Sequence, residues 1–170
     1  MLHELTDGTQ VLIRPVVPGD KPRLAAAMGR LSAESARLRF LAAKPTLSRA
    51  ELKYLTEVDG SDHIALVAVL AADPELVAGV ARCVRVAPGA ETAEFAIVVG
   101  DPLQGLGLGT ALTRALGAAA ARAGIRRFSA TTLAGNVAVE RLIEHVAERV
   151  EQRPAGGGVR ELLAELPRAA

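Results

Sequence analysis

The sequence is poor in cysteine and in aromatic residues, and each shortage excludes a class of protein. Cys83 is the only cysteine among the 170 residues, so neither an intrachain disulfide framework nor a cysteine-based zinc site can form. Trp is absent, and Tyr54 and three Phe are the only aromatic residues. Because proteins that bind single-stranded nucleic acid stack its bases on aromatic side chains, this composition disfavours such binding.

Neither sign of charge dominates, and no apolar run is long. The 20 basic and 19 acidic residues leave a formal net charge of +1 without a polybasic run, so we expect no nucleic acid and no membrane as a partner. The longest segments without Asp, Glu, Lys or Arg, 102–113 and 128–139, are shorter than the roughly 18 to 20 apolar residues of a membrane span. The polar residues 1–9 show no secretory signal. The sequence therefore predicts a soluble, cytoplasmic protein.

Hydrophobic residues make up 50% of the chain and charged residues 23%, as is typical of a globular domain. The length predicts one domain over residues 1–170. Asp20 is a predicted N-cap of the first helix, and Ser48 and Glu51 form a capping-box pattern at the start of another. Further helices are expected over 32–40, 110–123 and from Asn136 to about 146. The expected strands are 10–17, 64–71, 76–86, 93–99, 126–133, 148–153 and 159–166.

The most informative segment is the glycine-rich run 104–110, QGLGLGT, between a predicted strand and a predicted helix. The first amides of a helix have no intrahelical acceptor, and the helix dipole adds positive potential there. Glycines also let a phosphate approach the backbone. No Walker A lysine follows, and Thr110 stands where a dinucleotide fingerprint has its third glycine. The segment therefore predicts an anion site, with a turn that binds no ligand as the alternative.

The pattern Gln104-x-x-Gly107-x-Gly109 resembles the acyl-CoA pyrophosphate loop of the GNAT acetyltransferase superfamily. The preceding segment 93–99, AEFAIVV, is similar to the fourth strand of that family, and Asn136 is similar to its second cofactor motif. The opening RPVVPGD at 14–20 also matches a usual beginning. The segment 32–40 resembles bacterial protein lysine acetyltransferases. The resemblance covers essentially the whole chain.

This resemblance implies a mixed α/β (α+β) fold with a mostly antiparallel sheet of about seven strands and about four helices. It implies acetyl transfer from acetyl-CoA, the co-substrate, to an amine acceptor that attacks directly in a ternary complex, without a metal. The strands 93–99 and 126–133 should splay apart, so that the first can pair with the pantetheine amides and donate an amide to the oxyanion. The implied cofactor-binding residues are Ile97, Val98, Val99, Gln104, Gly105, Gly107, Leu108, Gly109, Thr110 and Asn136.

Glu94 is the implied catalytic residue. It is the only acidic residue in the segment 93–99, and its place matches a glutamate that GNAT enzymes often use. Because an ammonium must lose a proton before it attacks a thioester, a carboxylate near the cleft can serve as general base. The alternative is a solvent-facing carboxylate, or one paired with Arg82 or Arg85, which are expected to be at least partly exposed. For Asn136, a plain helix N-cap is an equally weighted alternative that does not exclude cofactor contact.

The chain departs from the family pattern at the end of the last predicted helix. Residues 142–145 contain no Tyr to protonate the departing thiolate, which a thiol pKa near 8.5 makes tolerable. Ala147-Glu148 replaces the usual Gly-Phe, and Leu103 stands where an aromatic precedes the loop. A protein lysine is the preferred acceptor, because of the segment 32–40. The alternatives are a small-molecule amine and a non-catalytic acyl-CoA-binding module. The resemblance further implies a homodimer formed through the last strands.

The remaining candidates favour structural interpretations. His3, His63 and His145 lie far apart in the sequence without metal-ligand spacing, so each is expected to have a structural role or to lie at the surface. Cys83 is expected in the core. Arg37 and Arg39 could guide a substrate, but charge pairing on the helix surface is the expected role.

Overall fold

Eight strands form one mixed sheet in this computed structural model, which describes residues 1–41 and 46–167. The spatial order is β1-β2-β3-β4-β5-β6-β8-β7, and every neighbouring pair is antiparallel except β5 and β6. The strands are β1 (Leu2–Glu4), β2 (Gln10–Pro15), β3 (His63–Leu70), β4 (Val77–Arg85), β5 (Thr92–Val99), β6 (Arg127–Leu133), β7 (Arg149–Gly156) and β8 (Val159–Glu165).

Five α-helices are described, α1 (Lys21–Met28), α2 (Ala33–Phe40), α3 (Arg49–Thr56), α4 (Leu108–Arg122) and α5 (Val137–Glu144). The expected class, a mixed and mostly antiparallel sheet flanked by helices, is confirmed, with one more strand than expected. The five helices lie at the five predicted segments, one more than the number that the resemblance implies. The extra strand is β1, whose three residues pair with β2 from Leu2 opposite Leu12 to Glu4 opposite Gln10. A segment of three residues is too short to show a periodic pattern in the sequence. It forms a strand because it pairs with the edge of β2.

The two faces of the sheet are covered by different helices. On one face α4 packs its buried residues Leu108, Leu112 and Leu116 into the larger core with Phe95 and Phe128. On the other face a smaller core joins strand valines to α1 and α3 through Leu24, Leu52 and Leu55. Because β3 is covered on both faces, its residues are buried without alternation, which explains the continuous apolar run 64–70.

Arg82 is buried, and the expectation that it would be partly exposed is wrong. It lies in β4, between β3 and β5 and under α3, and only 5% of its surface is accessible. Its guanidinium donates to the Leu55 carbonyl at 3.2 Å and lies 3.0 Å from Nε2 of His63. Arg85 is partly exposed, as expected, and pairs with Asp62 at 2.9 Å. The strand pattern alone does not say which of the two arginines a helix will cover.

Asp20 precedes α1 as predicted, but its carboxylate does not cap that helix. It accepts instead from the Val17 amide at 2.9 Å, from both terminal nitrogens of Arg14 at 2.8 and 2.7 Å, and from Arg23 at 3.2 Å. The Arg14 hydrogen bonds are the main reason that its pKa is lowered to about 2. The buried carboxylate thus ties the end of β2 to the start of α1.

Other local predictions hold at the level of single hydrogen bonds. The Ser48 hydroxyl accepts from the Glu51 amide at 3.2 Å, and the Glu51 carboxylate accepts from the Ser48 amide at 2.8 Å. Gly124 follows α4 with a φ of +82°, the left-handed conformation in which a glycine commonly ends a helix, so the helix predicted over 110–123 ends where expected. The final hairpin is tighter than expected, because β7 runs on to Gly156 and only two residues separate it from β8.

Within the described ranges, no helix has both the length and the apolar character needed to cross a membrane.

Replacing Asp20 with Asn should destabilise the fold, because the Arg14 guanidinium and the Val17 amide lose a buried charged acceptor. We expect the free energy of unfolding to fall by about 1 to 3 kcal/mol in a denaturant titration. The matched control is Glu75→Gln, which removes the exposed partner of Arg23 and should cost less than about 1 kcal/mol. Equal losses in the two variants would contradict a special role for Asp20.

Candidate functional site

A cleft opens in the sheet where β5 and β6 separate. The two parallel strands pair only from Thr92 opposite Arg127 to Glu94 opposite Ser129, although β5 continues to Val99. Beyond that point β6 remains paired with β8 through Leu133. Residues 95–99 therefore have no strand partner on the β6 side, and a cleft of about 460 Å³ lies beside them. The predicted splay is confirmed.

The glycine-rich loop lies at the far end of this cleft. After β5 the chain makes a short 3-10 turn, Asp101–Leu103, and then reaches Gly105 with a φ of +77° and Gly107 with a φ of +90°. Both values lie in the left-handed region that favours glycine. Gly107 immediately precedes α4, so the loop delivers the chain directly into the first turn of that helix.

The loop amides are available to a ligand. In the part of the chain that the structure describes, the backbone N–H groups from Gly105 to Thr110 donate no hydrogen bond to another residue. They belong to the turn and to the N-terminal end of α4, where the helix dipole is positive. The loop residues that line the cleft are Gln104, Gly105, Gly107, Gly109 and Thr110. This arrangement can bind an anion such as a phosphate.

Two residues of the loop have packing roles as well. Leu108 is fully buried in the core and is not among the residues that line the cleft, so its contact with a cofactor stays a prediction. A Cβ at Gly109 would lie 3.1 Å from the Cδ atoms of Leu142, because α4 and α5 approach each other closely there. A small residue at 109 thus serves helix packing in addition to access to the backbone.

The Gln104 side chain is fixed by hydrogen bonds to neighbouring parts of the site. Its side-chain amide donates to the Val99 carbonyl and to the Ser35 hydroxyl, both at 3.1 Å. Asp101 in turn accepts from the Ser32 and Ser35 hydroxyls at 2.7 Å and from the Ser32 amide at 3.0 Å. Sequence reasoning missed this network, which docks α2 against the loop. The hydroxyls at the start of α2, where Ser32 is the N-cap, are the signal that could have indicated it.

Asn136 occupies the N-cap position of α5, but its side chain makes no capping hydrogen bond. The plain N-cap interpretation is therefore wrong. The residue is 8% exposed and lines the cleft together with Ile97, Val98 and Val99 from the free edge of β5. Its contact with a cofactor remains a prediction.

Glu94 lies at the opposite end of the cleft from the loop. It is exposed, and it lines a hollow that adjoins the cleft and shares Arg39, Ile97 and Asn136 with it. The pairing expected as an alternative, with Arg82 or Arg85, does not form, and among the described residues no cation lies within 4.0 Å of the Glu94 carboxylate. Arg82 and Arg85 form their hydrogen bonds and ion pairs with other residues. From Glu94 to Val99 the strand extends about 17 Å, at the usual rise per residue.

A buried polar cluster lies on the sheet beside the Glu94 end. His63 is 8% exposed, its ring centroid is 4.9 Å from that of Tyr54, and its Nε2 faces the Arg82 guanidinium. Burial, followed by the charge of Arg82, lowers the pKa of His63 to about 4. The ring is therefore neutral at pH 7, and Nε2 accepts from the guanidinium. Burial also lowers the pKa of Arg82 to about 10, so this residue keeps its charge.

Cys83 is fully buried in the larger core, as expected. Desolvation raises the pKa of its thiol to about 12, so it supplies no nucleophile. Among the described residues, no group of three His, Cys, Asp or Glu side chains is placed to hold a metal ion.

The cleft thus has an anion-binding end, a free strand edge and a carboxylate end in one line. Such a site suits an extended molecule whose phosphates lie at the loop and whose reactive end lies near Glu94. The free edge of β5 can meet amides along the middle of the molecule, as an added strand would. The carboxylate can take a proton from a group that reacts there.

The chain is also similar in sequence to known proteins. Residues 10–147 match the family model described as an acetyltransferase (GNAT) domain. The chain is 38% identical over 144 residues to Acetyltransferase Pat of Mycolicibacterium smegmatis, and this match covers 84% of the chain and 42% of that relative. It is 34% identical over 142 residues to an acetyltransferase of Pseudomonas aeruginosa, which covers 83% of the chain and 76% of the relative.

A solved structure extends the likeness to the whole fold. The GNAT domain of PAT from S. lividans superposes with a TM-score of 0.86 at 28% identity, covering 98% of this chain and 96% of that one. The present chain spans less than half of the length of the mycobacterial relative.

The buried neutral His63 makes stability depend on pH in a defined window. The unfolded chain protonates this histidine near pH 6.5, whereas the folded protein does so only near pH 4. Between those values the unfolded state binds more protons, so the free energy of unfolding must fall as pH decreases from 6.5 toward 4. We expect Tm measured at pH 7 and pH 5 to drop more for the natural protein than for His63→Gln. His3→Gln, on the edge strand β1, is the control and should keep the natural drop. If Tm of His63→Gln fell between pH 7 and pH 5 as much as that of the natural protein, His63 would not be the source of the pH dependence.

Proposed function

Because the chain belongs to the GNAT acetyltransferase family, we propose that it is a cytoplasmic N-acyltransferase that moves an acetyl group from acetyl-CoA to a primary amine. The observation that carries this proposal is the free edge of β5 between the loop amides and Glu94. Residues 1–170 would act as one acyltransferase domain.

Cofactor binding in this proposal uses mostly backbone groups. The amides of Gly105, Gly107, Leu108, Gly109 and Thr110 bind the pyrophosphate, and their lack of internal acceptors supports this role. The main chain from Ile97 to Val99 pairs with the pantetheine amides, and the Asn136 side chain reaches the same arm. Gln104 contributes by holding the Val99 carbonyl and α2 in place.

Glu94 starts the reaction by taking a proton from the acceptor ammonium, directly or through water. The amine nitrogen then forms a bond to the thioester carbonyl carbon, and an amide of β5 donates to the oxygen as it becomes negative. When the carbon–sulfur bond breaks, the sulfur leaves as a thiolate, and the nitrogen gives its second proton to that thiolate or to water. No acid from residues 142–145 is required, because a thiol with a pKa near 8.5 leaves at modest cost.

The preferred acceptor is the side chain of a protein lysine. The segment 32–40 supports this choice, since it forms α2 beside the cleft and carries the likeness to protein lysine acetyltransferases. A small-molecule amine is the alternative within the same chemistry, and a domain that binds acyl-CoA without transfer is the alternative outside it. A second copy of the chain would pair at β7, which is the edge of the sheet at the side of the last strands.

Glu94→Gln should lower kcat by about a hundredfold, because the neutral amide cannot take the proton. The dissociation constant for acetyl-CoA should stay within about twofold, since Glu94 lies at the end of the cleft away from the loop. Steady-state kinetics and calorimetry measure the two quantities. The matched control is Glu91→Gln, an exposed carboxylate just before β5, which should leave both unchanged. Full turnover in Glu94→Gln would remove this residue from the mechanism.

A second experiment tests cofactor binding without requiring turnover. Acetyl-CoA and CoA at a hundred times their Kd should each stabilise the protein by about 2.7 kcal/mol in a thermal-shift titration, whereas ATP should not. Gly107→Ala should weaken that effect, because an L-residue at a φ of +90° distorts the loop.

Gly124→Ala is the matched control. Gly124 has a similar φ of +82° and equally open surroundings, but it lies at the other end of α4. Both variants should lose comparable intrinsic stability, and only Gly107→Ala should lose CoA affinity. Equal CoA-induced shifts in the two variants would show that the loop is a structural turn.

A further inference from the structure

The two arginines of the middle of α2 point in different directions. Arg37 and Arg39 are two residues apart, which turns them about 200° from each other around the helix. Arg37 is exposed, whereas Arg39 is partly buried with its guanidinium 4.8 Å from the ring centroid of Phe40. Arg39 lines the cleft and also the hollow that contains Glu94. The expected charge pairing on the helix surface is therefore wrong for Arg39, and the exposed Arg37 forms no ion pair with another described residue.

The Arg39 guanidinium has no anionic partner at contact distance. Within residues 1–41 and 46–167 it forms neither an ion pair nor a hydrogen bond, and its attraction to the Glu94 carboxylate acts without contact. Burial lowers the pKa of Arg39, although it stays charged at neutral pH. A guanidinium in such surroundings is costly unless a negative group meets it.

Arg82 brings a second unneutralised cation to the same place. Its hydrogen-bond partners, the Leu55 carbonyl and the His63 ring, are neutral, and no carboxylate of the described residues lies within 4.0 Å of it. The charge of Arg39 acts on Arg82 and disfavours its protonated form, so the two guanidinium groups repel each other. Among the described residues, no carboxylate is thus in contact with either guanidinium, and Glu94 attracts Arg39 only from a distance.

Both arginines also line a cavity of about 320 Å³ between α1, α3 and the sheet. Its walls are mainly apolar side chains such as Leu24, Met28 and Val80, and no acidic residue is among the described lining residues. Because apolar walls lower the effective dielectric constant, a carboxylate that enters would interact more strongly with the arginines than it would in bulk solvent. The cavity meets the cleft at Arg39 and Val98, which line both.

We propose that Arg39 and Arg82 form a carboxylate-binding subsite that makes the transfer selective for a substrate carrying a carboxylate near its reacting end. The inference rests on the proposed function. A guanidinium matches a carboxylate through two parallel hydrogen bonds, and the Arg39 guanidinium donates to no other residue that the structure describes. Arg82 lies opposite Ala96 in the sheet, and about 10 Å of β5 separates that level from Val99, so the subsite is set back from the phosphate loop.

Two substrates can deliver this chemical group. An acceptor can carry it beside the amine, as an amino acid does, or as a lysine does when an acidic residue flanks it in a peptide. In that case Glu94 meets the ammonium and the arginines meet the carboxylate. The acyl group can also carry it, as a succinyl group does. The reacting bonds are the same in both cases, and the carboxylate takes no part in them.

The experiment compares matched substrate pairs that differ only in this charge. The acceptor arm uses acetyl-CoA with leucine against leucinamide, and with a lysine peptide flanked by Glu against one flanked by Gln. The acyl arm uses succinyl-CoA against butyryl-CoA with the Gln-flanked peptide. We expect kcat/KM to favour the carboxylate by about tenfold or more in one arm, and that arm identifies the source.

Arg39→Gln should reduce this preference, measured as the ratio of the two kcat/KM values within a pair, to within about twofold. Arg39→Lys should restore part of it, because the charge remains and the planar fork is lost. Arg37→Gln, on the exposed side of the same helix, is the matched control and should keep the full preference. Melting temperatures of all variants check that each is folded.

The proposal is overturned if neither arm shows a preference, or if Arg39→Gln lowers both members of a pair equally. If no pair is turned over at all, the proposed function fails, and binding still tests the subsite. Succinyl-CoA and butyryl-CoA, and the amino acid and its amide in the presence of CoA, are then compared by calorimetry. Tighter binding of the carboxylate member that depends on Arg39 supports the subsite, and equal binding overturns it.

Discussion

The end of the pairing between β5 and β6 is the constraint on which the rest of the site depends. The parallel strands share only three residue pairs, after which β6 follows β8 and β5 follows β4. A free strand edge inside a sheet is costly unless something meets its backbone groups. The chain keeps this edge within a cleft, lined by the end of β5, the first turn of α4 and the start of α5. The unpaired backbone groups of this edge thus face the cleft, where a ligand can meet them.

Charge is arranged along this cleft in a definite order. Positive potential from the start of α4 lies at the loop, neutral backbone lies along β5, and a carboxylate lies at Glu94 with Arg39 and Arg82 close by. α2 connects the two ends, since Ser32 and Ser35 hold it to Asp101 at the loop while Arg39 reaches toward Glu94. A displacement of α2 would therefore affect both the anion-binding end and the carboxylate end.

Local signals in the sequence were sufficient for most elements and for the position of the loop. The capping box at Ser48, the glycine after α4 and the long apolar run of β3 each depend on near neighbours, so their pattern is legible without the fold. Long-range contacts were not legible in the same way. Asp20 binds Arg14 across a turn instead of capping α1, and β1 exists only because the edge of β2 is available to it.

The sequence by itself determined the family likeness, the order of the main strands and helices, and the glycines whose positive φ values shape the loop. Only the tertiary structure decided which charged side chains face one another. Arg37 and Arg39 are the same residue type on the same helix, and they differ in exposure because the sheet lies beneath one side of α2. Arg82 is buried because β4 is covered on both faces. The reason is physical. Backbone preferences act over a few neighbouring residues, whereas burial and electrostatic partners depend on segments that are distant in the chain.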